Sequence, residues 1–222
     1  MTPSRTGLWW PAQFAAWALR ASPFLALASI ALAMVFSTLS AYRLSSTVHV
    51  EDIVFGPTRS VIVDTLLIAI GVERTAVLVY VLQRSFDALV VAAALTPVFL
   101  WLLGSSAMHA AARLRGLRGR PFLPLLVLFA YAELVYQVPT SLASLAFSGG
   151  PLSIVADIAS LVMLVWFALV VHRGIALHYG VPGDRALGIF VIGGLVFYLL
   201  PLLLIAATLV AIVVAAAVLQ YF

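Results

Sequence analysis

The sequence predicts an all-α fold: a polytopic membrane helical bundle of about five transmembrane helices, with an N-terminal interfacial helix and amphipathic helices between spans 1 and 2. Three observations carry this reading. The 222-residue chain is 64% hydrophobic and 9% charged, with a mean hydropathy of +1.18. Water-soluble domains are about 45–50% apolar and about 25% charged, so charge this sparse leaves no way to cover a soluble surface. Long uncharged runs recur between short charged intervals. Finally, Arg113, Arg115, Arg118 and Arg120 crowd into residues 108–121, between two of those runs. Such a basic loop sets which side of a membrane is which.

Composition narrows the chemistry. The chain has no cysteine, which excludes disulfides, thiol catalysis and cysteine-ligated metals. All 12 basic residues are arginine, and the net charge is a modest +4. In a membrane protein that balance suits arginine-anchored cytoplasmic loops, not nucleic-acid binding.

Residues 1–22 form the N-terminal region and residues 23–222 a single five-span domain. Trp9, Trp10, Phe14 and Trp17 are interfacial anchors. Trp10, Phe14 and Trp17 recur at helical spacing, and Pro11 suits a first helical turn. Tryptophan rings favour the headgroup level, so a short helix lying in the interface is expected. The other readings are an extension of the first span broken at Pro23, or a signal peptide, against which the apolar length and the missing small-x-small site argue.

Residues 23–42 carry no charge and are long enough to cross ~30 Å of hydrocarbon. Arg43 is expected to end this span. Residues 43–84 differ in texture: Glu51, Asp52, Arg59, Asp64, Glu73, Arg74 and Arg84 are spread through them, and Gly56-Pro57 marks a turn. Two amphipathic or re-entrant helices are expected there. A single span over residues 61–82 would bury Asp64, Glu73 and Arg74 together at several kcal/mol.

Residues 86–109 form the second span, kinked at Pro97 because proline removes a backbone hydrogen bond. Gly104, Ser105 and Ala107 give it a small-residue face. The third span covers residues 122–147, before a turn at Ser148-Gly149-Gly150-Pro151. The fourth covers residues 154–171, and residues 172–185 read as a polar loop. Residues 186–219 form one long, tilted or kinked span, preferred over two short spans meeting at Leu200-Pro201. Its tail emerges at Gln220. Placing the N-terminus inside puts Arg5, Arg20, Arg113, Arg115, Arg118, Arg120, Arg173 and Arg185 in the cytoplasm. Arg43, Arg59, Arg74 and Arg84 stay outside, so the positive-inside rule favours N-in, C-out.

Few residues could carry chemistry. Glu133 falls about eleven residues, ~16 Å, into the third span, with Gln137 one turn later on the same face. Intramembrane carboxylates are rare and usually face the bundle interior. Glu133, Gln137 and Asp157 are therefore the polar candidates. A structural Glu133 would be protonated and hydrogen-bonded, to Gln137 or a tyrosine hydroxyl, and would pin helices together. A functional one would be a proton or substrate site. His172 and His178 are six apart, on opposite sides of any helix, with His109 beside the arginines and His49 on the other face. They read as solvated loop histidines, and no metal or cofactor is expected. No phosphate loop, nucleophile elbow or metalloprotease pair appears. Ala207, Ala211 and Ala215 make a small-xxx-small row suited to helix packing.

The order of these features resembles the Yip family, membrane proteins named for interaction with Ypt/Rab GTPases, in its prokaryotic form. Pro23 opens the first span, and a charged, weakly hydrophobic segment precedes the second. The second span runs into a basic glycine loop from Met108-His109 through Arg113, Gly116 and Gly119. The third span carries Tyr131, Tyr136 and Pro139. The fourth carries Trp166 and leads through Gly174, Gly180 and Val181 to Arg185-Ala186-Leu187. The resemblance covers residues 23–204. It implies a five-span fold with a cytoplasmic N-terminus and no enzyme activity. The Rab partner is not carried over, because the long hydrophilic N-terminal region that relatives use for it is not found here. Glu133 and residues 198–222 are not features of that family.

The expected function is that of a non-enzymatic scaffold or accessory subunit in the plasma membrane of a prokaryote. It would act through helix packing with lipids, another membrane protein or a second copy of itself. The alternative is a small transporter or permease subunit with a polar path around Glu133.

Overall fold

A computed structural model describes residues 10–47, 50–56, 60–147 and 153–219. Trp9, His49, the turns expected at Pro57 and at residues 148–151, and Gln220 lie outside them. Every regular element among the described residues is helical: α1 (Pro11–Ala18), α2 (Pro23–Thr47), α3 (Val50–Phe55), α4 (Val61–Ile70), α5 (Val72–Phe99), a π-helical turn (Leu100–Gly104), α6 (Ser105–Leu114), α7 (Leu123–Ala146), α8 (Ser153–Tyr179) and α9 (Gly183–Leu219). Five stretches are long and apolar enough to cross a membrane: Pro23–Arg43, Val90–Leu114, Leu123–Ala146, Ser153–Tyr179 and Gly183–Leu203. The chain is an integral membrane protein of the all-α class.

Several boundaries differ from the sequence reading. The first span does end at Arg43, as expected, but its helix runs on to Thr47. The amphipathic stretch after Gly71 and the second span are one helix, α5, of 28 residues. Glu73, Arg74 and Arg84 are exposed on it, and a polar residue on an outer face leaves the backbone ladder intact. The second span also continues past His109 to Leu114. The expected polar loop at residues 172–185 is mostly helix, because α8 extends to Tyr179. Residues 186–219 do lie within one helix, α9, of 37 residues with Pro201 inside it.

Between the first two spans, α4 and the start of α5 meet at a bend of 119°. Gly71 makes that bend with φ 89° and ψ 150°, a conformation open essentially to glycine alone. The pair is a broken span or a re-entrant loop, which fits either the re-entrant helices expected here or the single span over residues 61–82.

The chain divides into two compact units. Unit 1 comprises Met1–Ala28, Phe99–Glu133 and Val165–Phe222; unit 2 comprises Ser29–Val98 and Leu134–Leu164. In unit 2, Pro97 deprives the Ala93 carbonyl of its helical donor, and Ser37 Oγ supplies one at 2.8 Å. Ser40 and Ser144 share a hydroxyl hydrogen bond of 2.6 Å, and Arg43 Nη1 donates to the Leu145 carbonyl in the last turn of α7. Orphan carbonyls at a helix end and at a proline are thereby matched.

In unit 1 the core is formed by Leu125, Leu128, Val170, Val171, Ile175 and Ile189, all fully buried. Lipid tails are as apolar as leucine, so close fit holds membrane helices together. Leu128 occupies the space a side chain at Gly174 would need, and Met108 that at Gly193, whose Cβ would also stand 3.1 Å from Met108 Cα.

Candidate functional site

The polar end of unit 1 gathers the last turns of α6 and α8, the first turn of α9, the loop between α6 and α7, and α1. Arg113 lies in the last turn of α6 and Arg115 caps it, where positive charge complements the helix dipole. The Arg115 guanidinium lies against the backbone of Gly188 in α9, and its carbonyl accepts Arg185 Nη2 at 3.2 Å. α8 closes on Gly180, at φ 65°, with Val181 N–H returned to the Ala176 carbonyl at 3.0 Å, the six-to-one bond of a glycine C-terminal motif. This places His178 and Tyr179 in the final turn. His109 Nδ1 and the Tyr179 hydroxyl share a hydrogen bond of 2.7 Å, and the His109 ring lies 5.2 Å from that of Phe122. His172 Nε2 donates to the Gly183 carbonyl at 3.1 Å.

Among the described residues, His109, His172 and His178 are thus not solvated loop residues: all three stand on helices, His109 tying α6 to α8 and His172 tying α8 to the start of α9. A readable signal existed: Val171, Gly174, Ile175 and His178 are all buried, at the i, i+3, i+4, i+7 spacing of one helical face.

Helix α1 is seated on unit 1 through Phe14, which is buried. Its ring meets Trp166 edge-on at 4.9 Å, and Trp17 meets Tyr131 in the same way at 4.9 Å. Tyr131 also donates to the Ser22 carbonyl at 3.4 Å. Among the expected anchors, Phe14 is therefore a packing residue. Trp10 is 69% exposed and Trp17 43%.

Two clefts open here. A groove of about 700 Å³ is lined by Ala110, Arg113, Leu114 and Arg118. A smaller cleft of about 310 Å³ includes Arg20, Arg120 and His178 in its walls. Arg113, Arg115, Arg118 and Arg120 are all exposed, so the basic loop faces outward as its charge requires.

No protein-family model, curated protein or solved structure matches the chain.

The intramembrane candidates are not equivalent. Glu133 is 1% exposed, as its depth in α7 implied, and its Oε1 has no hydrogen-bond partner among the described residues. Gln137 Nε2 donates to Ser141 Oγ at 2.9 Å, one turn further along α7, instead of turning back to the carboxyl. Asp157 is exposed on α8, the wrong setting for a residue lining a buried path. Glu133 lines neither cleft. Of the alanine row on α9, Ala207 is exposed.

Proposed function

We propose that this chain is a non-enzymatic membrane subunit, a scaffold or accessory component that works by packing its helices against lipid and a protein partner. The observation that carries this reading is the filled interior of unit 1. Its core is branched aliphatic side chains, and Gly174 and Gly193 are closed over by Leu128 and Met108. The apolar surface faces outward instead: Ile154, Ile158, Leu161, Val165 and Leu169 of α8 are exposed, available to acyl chains or another helix. Kinship with Yip-type proteins belongs to the same proposal, as does a prokaryotic plasma membrane with the N-terminus in the cytoplasm and the C-terminus outside. Isolation of the full chain in mild detergent tests the reading. A larger membrane protein recovered in fixed stoichiometry is expected; a lone monomer or homodimer counts against it.

A second reading, a small transporter, is favoured by one observation, the unmatched Oε1 of buried Glu133. An oxygen without a protein partner leaves room for a water or substrate to bring or take a proton. The two readings part at Glu133→Gln, which a packing role tolerates and a proton-coupled role does not.

A further inference from the structure

The smaller cleft of unit 1 has the makings of a ligand site. Arg20 follows α1, Arg120 precedes α7, and His178 closes α8, so three separate segments deliver a cationic or hydrogen-bonding group to one opening of about 310 Å³. The unit offers little to neutralise them. Its only carboxyl groups by sequence range are Glu133 and Asp184, and neither lines the cleft. His178 is 8% exposed, and its Nε2 has no hydrogen-bond partner among the described residues. Buried polar atoms are seldom left this way, and each such atom calls for a partner. The backbone of Pro121 hydrogen-bonds to the same imidazole and holds the ring in the wall of the cleft. The remaining wall is apolar, with Ala16, Leu19, Pro124 and Leu177.

We propose that this cleft binds a phosphate-bearing anion, and that the anion is the headgroup of an acidic membrane lipid. Two guanidiniums and an imidazole are a phosphate-recognition set, since arginine forks match phosphate oxygens and a ring nitrogen completes the shell. The apolar wall favours the lipid source. It suits the glycerol and first acyl carbons beside a headgroup, whereas a free phosphate is hydrated on every side. Trp10 and Trp17 are exposed on the adjoining helix, and such rings prefer headgroup depth. Because α1 forms one wall, bound lipid would also hold that helix on the bundle.

The test uses the purified full chain in mixed micelles of dioleoylphosphatidylglycerol and dioleoylphosphatidylcholine, with retained lipid counted by native mass spectrometry. The unmodified chain should retain phosphatidylglycerol selectively. Arg20→Gln with Arg120→Gln should weaken retention by about fivefold for each guanidinium removed. The pair Arg118→Gln and Arg173→Gln removes the same charge away from the cleft and should change retention far less. Equal losses in the two pairs would reduce the effect to surface charge and overturn the site. A photoactivatable phosphatidylglycerol on the unmodified chain gives a second readout that does not depend on variants folding. Crosslinks should map to residues 16–20 or 120–124, and crosslinks confined to other segments overturn the proposal. Excess inorganic phosphate separates the sources: unchanged lipid retention supports the lipid, and displacement overturns it in favour of free phosphate.

Discussion

Glu133 shows how far a single residue can be read. Its depth followed from counting along an uncharged run, and its burial followed from the cost of exposing a carboxyl to lipid. Its expected hydrogen bond to Gln137 did not follow, because Gln137 had an equally near acceptor in Ser141. That choice is made by rotamers, which spacing does not encode. Since Oε1 has no partner among the described residues, Glu133→Leu strands no partner of that oxygen and removes the cost of burying it unsatisfied. The Leu variant should melt at or above the temperature of the unmodified chain in detergent. Glu133→Gln should fold with normal yield. A correctly folded Gln variant that leaves cells behaving like a deletion strain would move the transporter reading to first place.

Among the elements, the helices were legible and their ends were not. Apolar run length is a local property, so five spanning stretches could be counted directly. Helix ends depend on which side of each helix is covered. Arg84 and Arg173 occur in exposed positions on continuous helices, and a charge there does not interrupt the backbone. Proline and glycine mark the breaks more faithfully. Ser37→Ala should remove the donor matched to Ala93 and destabilise unit 2 by about 1 kcal/mol. Pro97→Ala restores the helical donor, so the Ser37→Ala penalty should shrink in that background, as a double-mutant thermal-melt cycle would register. At the bend, Gly71→Ala forces a side chain into a glycine-only conformation at about 1–3 kcal/mol. The expected result is lower thermal stability, or a straightened α4–α5 pair seen as a longer distance between spin labels at Ile68 and Leu78.

For the whole molecule, the distribution of arginine is the strongest guide to orientation. Arg20, Arg113, Arg115, Arg118, Arg120, Arg173 and Arg185 all fall within the ranges of unit 1. What spacing alone did not reveal is the meeting of Arg20, Arg120 and His178, which are far apart in the chain and converge only in tertiary structure. The proposed topology is open to direct measurement because the chain has no native cysteine. Single cysteines at Thr58 and Gly149 should react with an impermeant maleimide in intact cells, and those at Gly116 and Gly183 should not. The opposite pattern would reverse the orientation.

The unbroken course of α9 has a mechanical consequence. At 1.5 Å per residue its 37 residues measure about 55 Å, against ~30 Å of hydrocarbon in an ordinary bilayer. Leaving out Gly183, Asp184 and Arg185 at the polar end, about 51 Å remain, and hiding that by tilt alone would take about 54°, beyond the 0–40° that transmembrane helices adopt. The excess length is taken up by tilt, by a kink at Pro201 or by thickening of a thin bilayer, each at some cost in strain. Longer acyl chains relieve that strain, so the protein should melt higher in dierucoylphosphatidylcholine nanodiscs than in dimyristoylphosphatidylcholine ones. In a cell with membranes of unequal thickness, it should partition toward the thicker.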